Sequence, residues 1–153
     1  MTTELRVPPV VIVATAALGM WLAARALPAG PSASTGARAA LAATLAVLGV
    51  ALAIAGIREF RAASTTVNPM QPGQASSMVT SGVYRYTRNP MYLGMLCLLA
   101  GWGAWLGRWA PFGVLPVFVL YMNRFQIAAE ERALEQRFGA AFREYAARVR
   151  RWL

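Results

Sequence analysis

Hydrophobic residues fall into four runs along this chain, at about 7–27, 39–57, 91–106 and 109–125. Each run approaches the roughly 20 residues that cross about 30 Å of hydrocarbon. None carries an ionisable residue near its middle. The pattern predicts an all-α, polytopic membrane protein with four transmembrane helices, organised as one domain. The first run lacks a strong basic segment before it and is too long for a cleaved signal. A turn-rich stretch at 28–36 separates the first two runs. Gly107-Arg108 alone separates the last two, which predicts a tight helical hairpin, with Pro116 expected to kink the fourth span.

Beyond the fourth run the apolar positions keep three- and four-residue steps: Ile127, Leu134, Phe138, Ala141, Phe142, Tyr145, Val149 and Trp152. This predicts an amphipathic C-terminal helix over about 126–150, interrupted at Gly139. A 100° projection from Ile127 puts Glu131 at about 40°, Glu130 at about −60° and Arg124 at about 60°. Glu131 thus falls within the apolar stripe, near Arg124, and Glu130 falls on its edge. A carboxylate on a packed face is paired or protonated, because burying it unpaired costs several kcal/mol. Arg85, Arg88 and Arg124 are candidate partners. Two readings stay open here: a local ion-pair cluster, or carboxylates that bind a cationic ligand.

Charge gives the orientation. Arg6, Arg58, Arg61, Arg85, Arg88 and the seven arginines from Arg124 to Arg151 fall on one side of a four-span topology; Arg25, Arg38 and Arg108 fall on the other. The asymmetry predicts cytoplasmic termini and a cytoplasmic loop 58–90. It puts the segment from Gly82 to Gly94 on the same side as Glu130-Glu131. Within that loop, residues 61–81 are expected to be irregular, either a lid or a linker.

Composition narrows the chemistry. The chain has 153 residues, 58% hydrophobic and 14% charged, with net charge +9; soluble domains carry about 25% charged residues. Every cation is Arg and every anion Glu, a bias suggesting a prokaryotic, GC-rich source and an inner-membrane location. The arginines cluster beside apolar runs, which favours lipid headgroups over nucleic acid. Without His, and with Cys97 alone inside a span, no His/Cys metal site or cysteine–histidine pair can form. The small residues of the second run predict close helix packing, within the chain or in a dimer. Oligomeric state is not fixed by the sequence. A transporter subunit is disfavoured because no span carries an interior ionisable residue; a non-catalytic assembly protein is the remaining alternative to an enzyme.

Gly82-x-Tyr84, then Arg88-Asn89-Pro90-x-Tyr92-x-Gly94, then Glu130-Glu131-x-x-Leu134-x-x-x-Phe138-Gly139-x-x-Phe142-x-x-Tyr145, resembles the isoprenylcysteine carboxyl methyltransferase family and its broader phospholipid methyltransferase group. The resemblance covers about 79–149. It implies an integral-membrane enzyme that binds S-adenosylmethionine in a pocket open to the cytoplasm and methylates a lipophilic acceptor. By position it implies a cofactor site of Met78, Val79, Tyr84, Asn89, Pro90, Met91, Tyr92 and Glu130. Asn89 stands where the family usually has His; it keeps a donor and an acceptor but cannot become cationic. An acceptor-contacting Arg of the eukaryotic enzymes corresponds to Gln126, with Arg124 two residues away, so Arg124, Gln126 and Glu131 are candidates for acceptor positioning. Residue chemistry agrees with this. Glu130 or Glu131 suits an ammonium or ribose hydroxyls, Arg85 or Arg88 a carboxylate, and Tyr84, Tyr86 or Tyr92 an adenine or a sulfonium.

Overall fold

The computed structural model describes residues 7–27, 33–64 and 76–153. Arg6, most of the turn-rich stretch 28–36 and the middle of the expected loop 61–81 lie outside these residues. Among the described residues six α-helices follow in order: α1 Pro9–Ala26, α2 Thr35–Ala62, α3 Pro90–Leu106, α4 Val114–Tyr121, α5 Ala128–Phe138 and α6 Ala140–Arg148. Short 3-10 turns, Gly82–Arg85 and Ala110–Gly113, precede α3 and α4. A π-helical turn, Met122–Ile127, joins α4 to α5. No strand occurs among the described residues, and the protein is an all-α membrane protein.

Among the described residues, length and hydropathy qualify three helical stretches to cross a membrane: α1, α2 and the continuous stretch Ala110–Phe138; α3 is apolar too but one residue shorter than α1. The stretch Ala110–Phe138 has 29 residues. At about 1.5 Å per residue it is about 43 Å long, well beyond the ~30 Å hydrocarbon core. The excess of about 13 Å matches about nine residues, the charged end from Glu130 to Phe138. The helix α2 likewise continues past Ile57, through Arg58 to Ala62.

The helices α2 and α3 run antiparallel, with Gly56 beside Pro90 and Gly101 beside Ala42. The small residues of α2 find their partner within the chain, on α3. A Cβ on Gly49 would lie 2.6 Å from the Gly94 carbonyl oxygen, and one on Gly94 would lie 2.5 Å from that of Gly49. Only hydrogen fits at either position, and the backbones approach as small-residue membrane interfaces allow. Farther along the seam Gly101 faces Ala42, and Gly56 faces Pro90, Met91 and Tyr84. The buried core, Met20, Tyr92, Leu99, Phe118, Met122 and Ile127, lies where α1, α3, α4 and the π turn meet. Trp102 on α3 donates its indole N–H to the Ala17 carbonyl of α1 (3.1 Å).

The bundle has two unlike ends. At one, Arg108 Nη1 donates to the Leu27 carbonyl (3.0 Å), and Arg38 sits against the left-handed turn at Gly107. At the other, the C-terminal end of α2, the turn before α3, α5, α6 and the chain terminus converge. The expected break at Gly139 is present. Its φ of 52° lies in the left-handed region that favours glycine, and it separates α5 from α6. The C-terminal helical pattern is therefore two helices, and it stops at Arg148; Val149 to Leu153 continue without helix.

Candidate active site

Three elements build the polar cluster at the second end. The first is the turn Gly82–Arg85 and the segment that follows it to Asn89. Tyr84 is buried, its ring meeting Phe60 of α2 edge-on at 5.5 Å. Its main-chain carbonyl accepts from the Tyr145 hydroxyl (2.7 Å), which ties α6 to the turn. Burial lifts the Tyr84 phenol above its usual range, with the charges of Tyr145 and Glu130 adding to the effect. Burial also pushes Tyr145 up to about 12, opposed by nearby Arg88. Both phenols stay neutral in the physiological range.

The second element is the start of α3. Pro90 occupies its first turn, where a missing N–H costs least. One turn in, Tyr92 is buried and donates its hydroxyl to Glu130. Gln126, also buried, donates from Nε2 to Glu130 Oε1 (2.8 Å) and to the Tyr92 oxygen (3.2 Å). Gln126 and Glu130 are four residues apart and share a helix face. Glu130 therefore sits between two neutral donors and has no ion-pair partner among the described residues. Burial raises its carboxyl from 4.5 to about 7; the bonds from Tyr92 and Gln126 pull it down, and Glu131 pushes it up.

The third element surrounds Glu131. Arg88 Nη2 lies 3.0 Å from Glu131 Oε1. Arg151 donates from Nε to Oε1 (3.0 Å) and also engages Oε2. Glu131 is thus held by two guanidiniums. The Arg88 Nε is buried and has no hydrogen-bond partner among the described residues.

The expected site residues separate into groups. Tyr92, Gln126, Glu130, Glu131, Arg88 and Asn89 come together in this cluster. Met78 is half-buried and Val79 buried. Pro90 and Met91 pack against Gly56 of α2. Asn89 donates its side-chain amide to the Arg151 carbonyl (2.9 Å). Arg85 is exposed and borders an open depression of about 310 Å³ with Thr80, Tyr145, Arg148 and Val149. Tyr86 is exposed as well.

Arg124, projected beside Glu131, is exposed and forms no ion pair with it among the described residues. The π turn is the reason. Its i→i+5 bonding widens one turn, so a uniform 100° step misplaces residues on either side of it. Arg151 was not anticipated from the sequence. It lies 20 residues beyond Glu131, past the helix end, and no local pattern marks it; the adjoining Trp152, a large apolar residue at the chain end, was the available hint.

The sequence model of the family "Phospholipid methyltransferase" matches residues 37–141 of this chain. An uncharacterised protein of Haemophilus influenzae is 46% identical over 63 residues, which is 100% of that protein and 41% of this chain. No solved structure matches.

Proposed function

The chain belongs to the phospholipid methyltransferase family, and from that premise we propose that it transfers a methyl group from S-adenosylmethionine to a lipophilic acceptor at the cytoplasmic face of the membrane. The observation that carries the reading is the contrast in unmet valence at one end of the bundle. Glu130 is a carboxyl held by two neutral donors, with no ion-pair partner among the described residues. On the adjoining Glu131 cluster, the buried Nε of Arg88 has no acceptor among the described residues. A ligand that is cationic at one end and anionic at the other satisfies both.

The cofactor fits that pair. Its ammonium or ribose hydroxyls would be met by Glu130, and its carboxylate by Arg88 through a charge-assisted bond. When bound, it supplies an electrophilic methyl on a sulfonium. The protein's own contribution is then orientation and exclusion of water. Gln126 and Tyr92 fix the Glu130 carboxylate, Tyr84 and Phe60 close the wall toward α2, and the chain has no Lys, Asp or His to serve as a base. That suits an acceptor already able to attack. We assign Glu130, Tyr92 and Arg88 to the cofactor and Gln126 and Glu131 to positioning. Arg85 and Tyr86 lie at the margin with Arg124, which we leave outside the site. Met78, Val79, Asn89, Pro90 and Met91 shape the entry to α3. The arginine asymmetry supports a cytoplasmic site with both termini on the same side.

The test is transfer of labelled methyl from S-adenosylmethionine into a lipid extract by the purified, detergent-solubilised protein. Label recovered in the lipid phase, dependent on Glu130, is expected. Absence of both saturable cofactor binding and label transfer would contradict the reading.

A further inference from the structure

The last residues of the chain form a strap. The Arg150 carbonyl accepts from the Arg88 main-chain N–H (2.9 Å). The Arg151 carbonyl accepts from Thr87 Oγ1 (3.1 Å) and from Asn89 Nδ2 (2.9 Å). Trp152 packs against the core and donates its indole N–H to Asn123 Oδ1 (3.0 Å) on the π turn. These bonds hold the backbone of the strap independently of the Arg151 side chain. That side chain therefore has a separate task.

Its task follows from how Glu131 is shared. Arg151 Nε binds Glu131 Oε1, and the same guanidinium covers Oε2. Arg88 reaches Glu131 with Nη2 alone, on Oε1 (3.0 Å). Carboxylates and guanidiniums prefer two parallel bonds. Were Oε2 uncovered, Arg88 would be drawn to Glu131 through both Nε and Nη2. We propose that Arg151 is a positioning residue: by occupying the second oxygen of Glu131, it keeps the buried Nε of Arg88 available for the carboxylate of the bound ligand. The inference rests on the cofactor assignment above.

The test is calorimetric titration of the full-length protein with S-adenosylmethionine and with its decarboxylated analogue, which lacks only the carboxylate. In Arg151→Ala the affinity for intact cofactor falls tenfold or more, and affinity for the analogue is unchanged. Arg151→Ala combined with Glu131→Gln recovers most of the loss, because the neutral amide no longer draws Arg88 into a bidentate pair. Arg151→Lys, which keeps the charge without the planar fork, lies between. If Arg151→Ala weakens both ligands equally, or if the double variant binds worse than the single one, the strap is merely structural and the proposal falls. If Arg151→Ala binds both ligands as the wild type does, it falls likewise. A wild-type protein that binds neither ligand overturns the cofactor assignment itself.

Discussion

Glu130 and Glu131 are neighbours in the chain, and their surroundings are electrostatic opposites. Around Glu131 two guanidiniums supply more charge than one carboxylate cancels. Around Glu130 two neutral donors supply none. The Glu131 carboxylate is already neutralised by the fold and works as a joint between α5, the segment before α3 and the chain terminus. Glu130 is held in geometry but not in charge, and its carboxyl is raised to about 7. The difference teaches that an adjacent acidic pair need not act as a unit: one member is ion-paired by the fold, and the other is held by neutral donors alone.

The largest effect that would break this comparison comes from Glu131→Ala. It leaves Arg88 and Arg151 without a counter-charge at a joint where the Arg88 and Glu131 side chains are 15% and 18% exposed. Destabilisation of about 3 kcal/mol is expected, at the low end for a buried pair because Arg151 keeps access to water. Thermal unfolding in detergent measures it; a change within error would mean that the joint carries no load.

Next is Glu130→Gln. The amide keeps the shape and part of the hydrogen bonding while removing the charge. Cofactor affinity should fall about thirtyfold, the ~2 kcal/mol typical of a bond to a charged group. Thermal stability should hold or rise, since no charge is then buried. Equal losses of stability and affinity would show Glu130 to be structural, like its neighbour.

The pH dependence sharpens the contrast further. A carboxyl raised from 4.5 to about 7 contributes stability that is fully present below 4.5 and lost as pH rises through about 7. The charge that a cationic ligand requires appears around the upper end of that window. The unliganded protein should therefore lose stability between about pH 4.5 and 7 and level off above it, while cofactor affinity rises about tenfold from pH 6 to pH 8. In Glu130→Gln both slopes should flatten, which paired thermal and titration series would show. The smallest effect is expected from Arg124→Ala. An exposed arginine outside the pair should change stability by no more than about 0.5 kcal/mol and leave affinity unchanged.

Much of the architecture was legible in the sequence because hydrocarbon imposes a length on each apolar run. The four runs, the hairpin at Gly107-Arg108 and the break at Gly139 are all written in local composition. The small residues of α2 announced a close packing partner but not which one; Gly94 and Gly101 on α3 answer that. The polar cluster was legible as two motifs at one end of the bundle. What the pattern did not carry was the division of labour between the two glutamates. That division depends on the π turn at Met122–Ile127, which no local propensity encodes, and which moved Arg124 away from Glu131. It depends equally on Arg151, brought back to Glu131 by the turn at Gly139 and by main-chain bonds to Thr87 and Asn89. Such contacts are set by tertiary packing, and Trp152 reaches the core from an extended tail rather than from the helix its spacing suggested.

The most direct test of the central claim is titration of S-adenosylmethionine at pH 8 into wild-type protein and into Glu130→Gln, each verified as folded by thermal unfolding. Saturable binding by the wild type, with affinity reduced about thirtyfold in a variant that unfolds no earlier, is the predicted result. Equal affinity in the two proteins would contradict the assignment of Glu130 as the carboxylate kept for the cofactor.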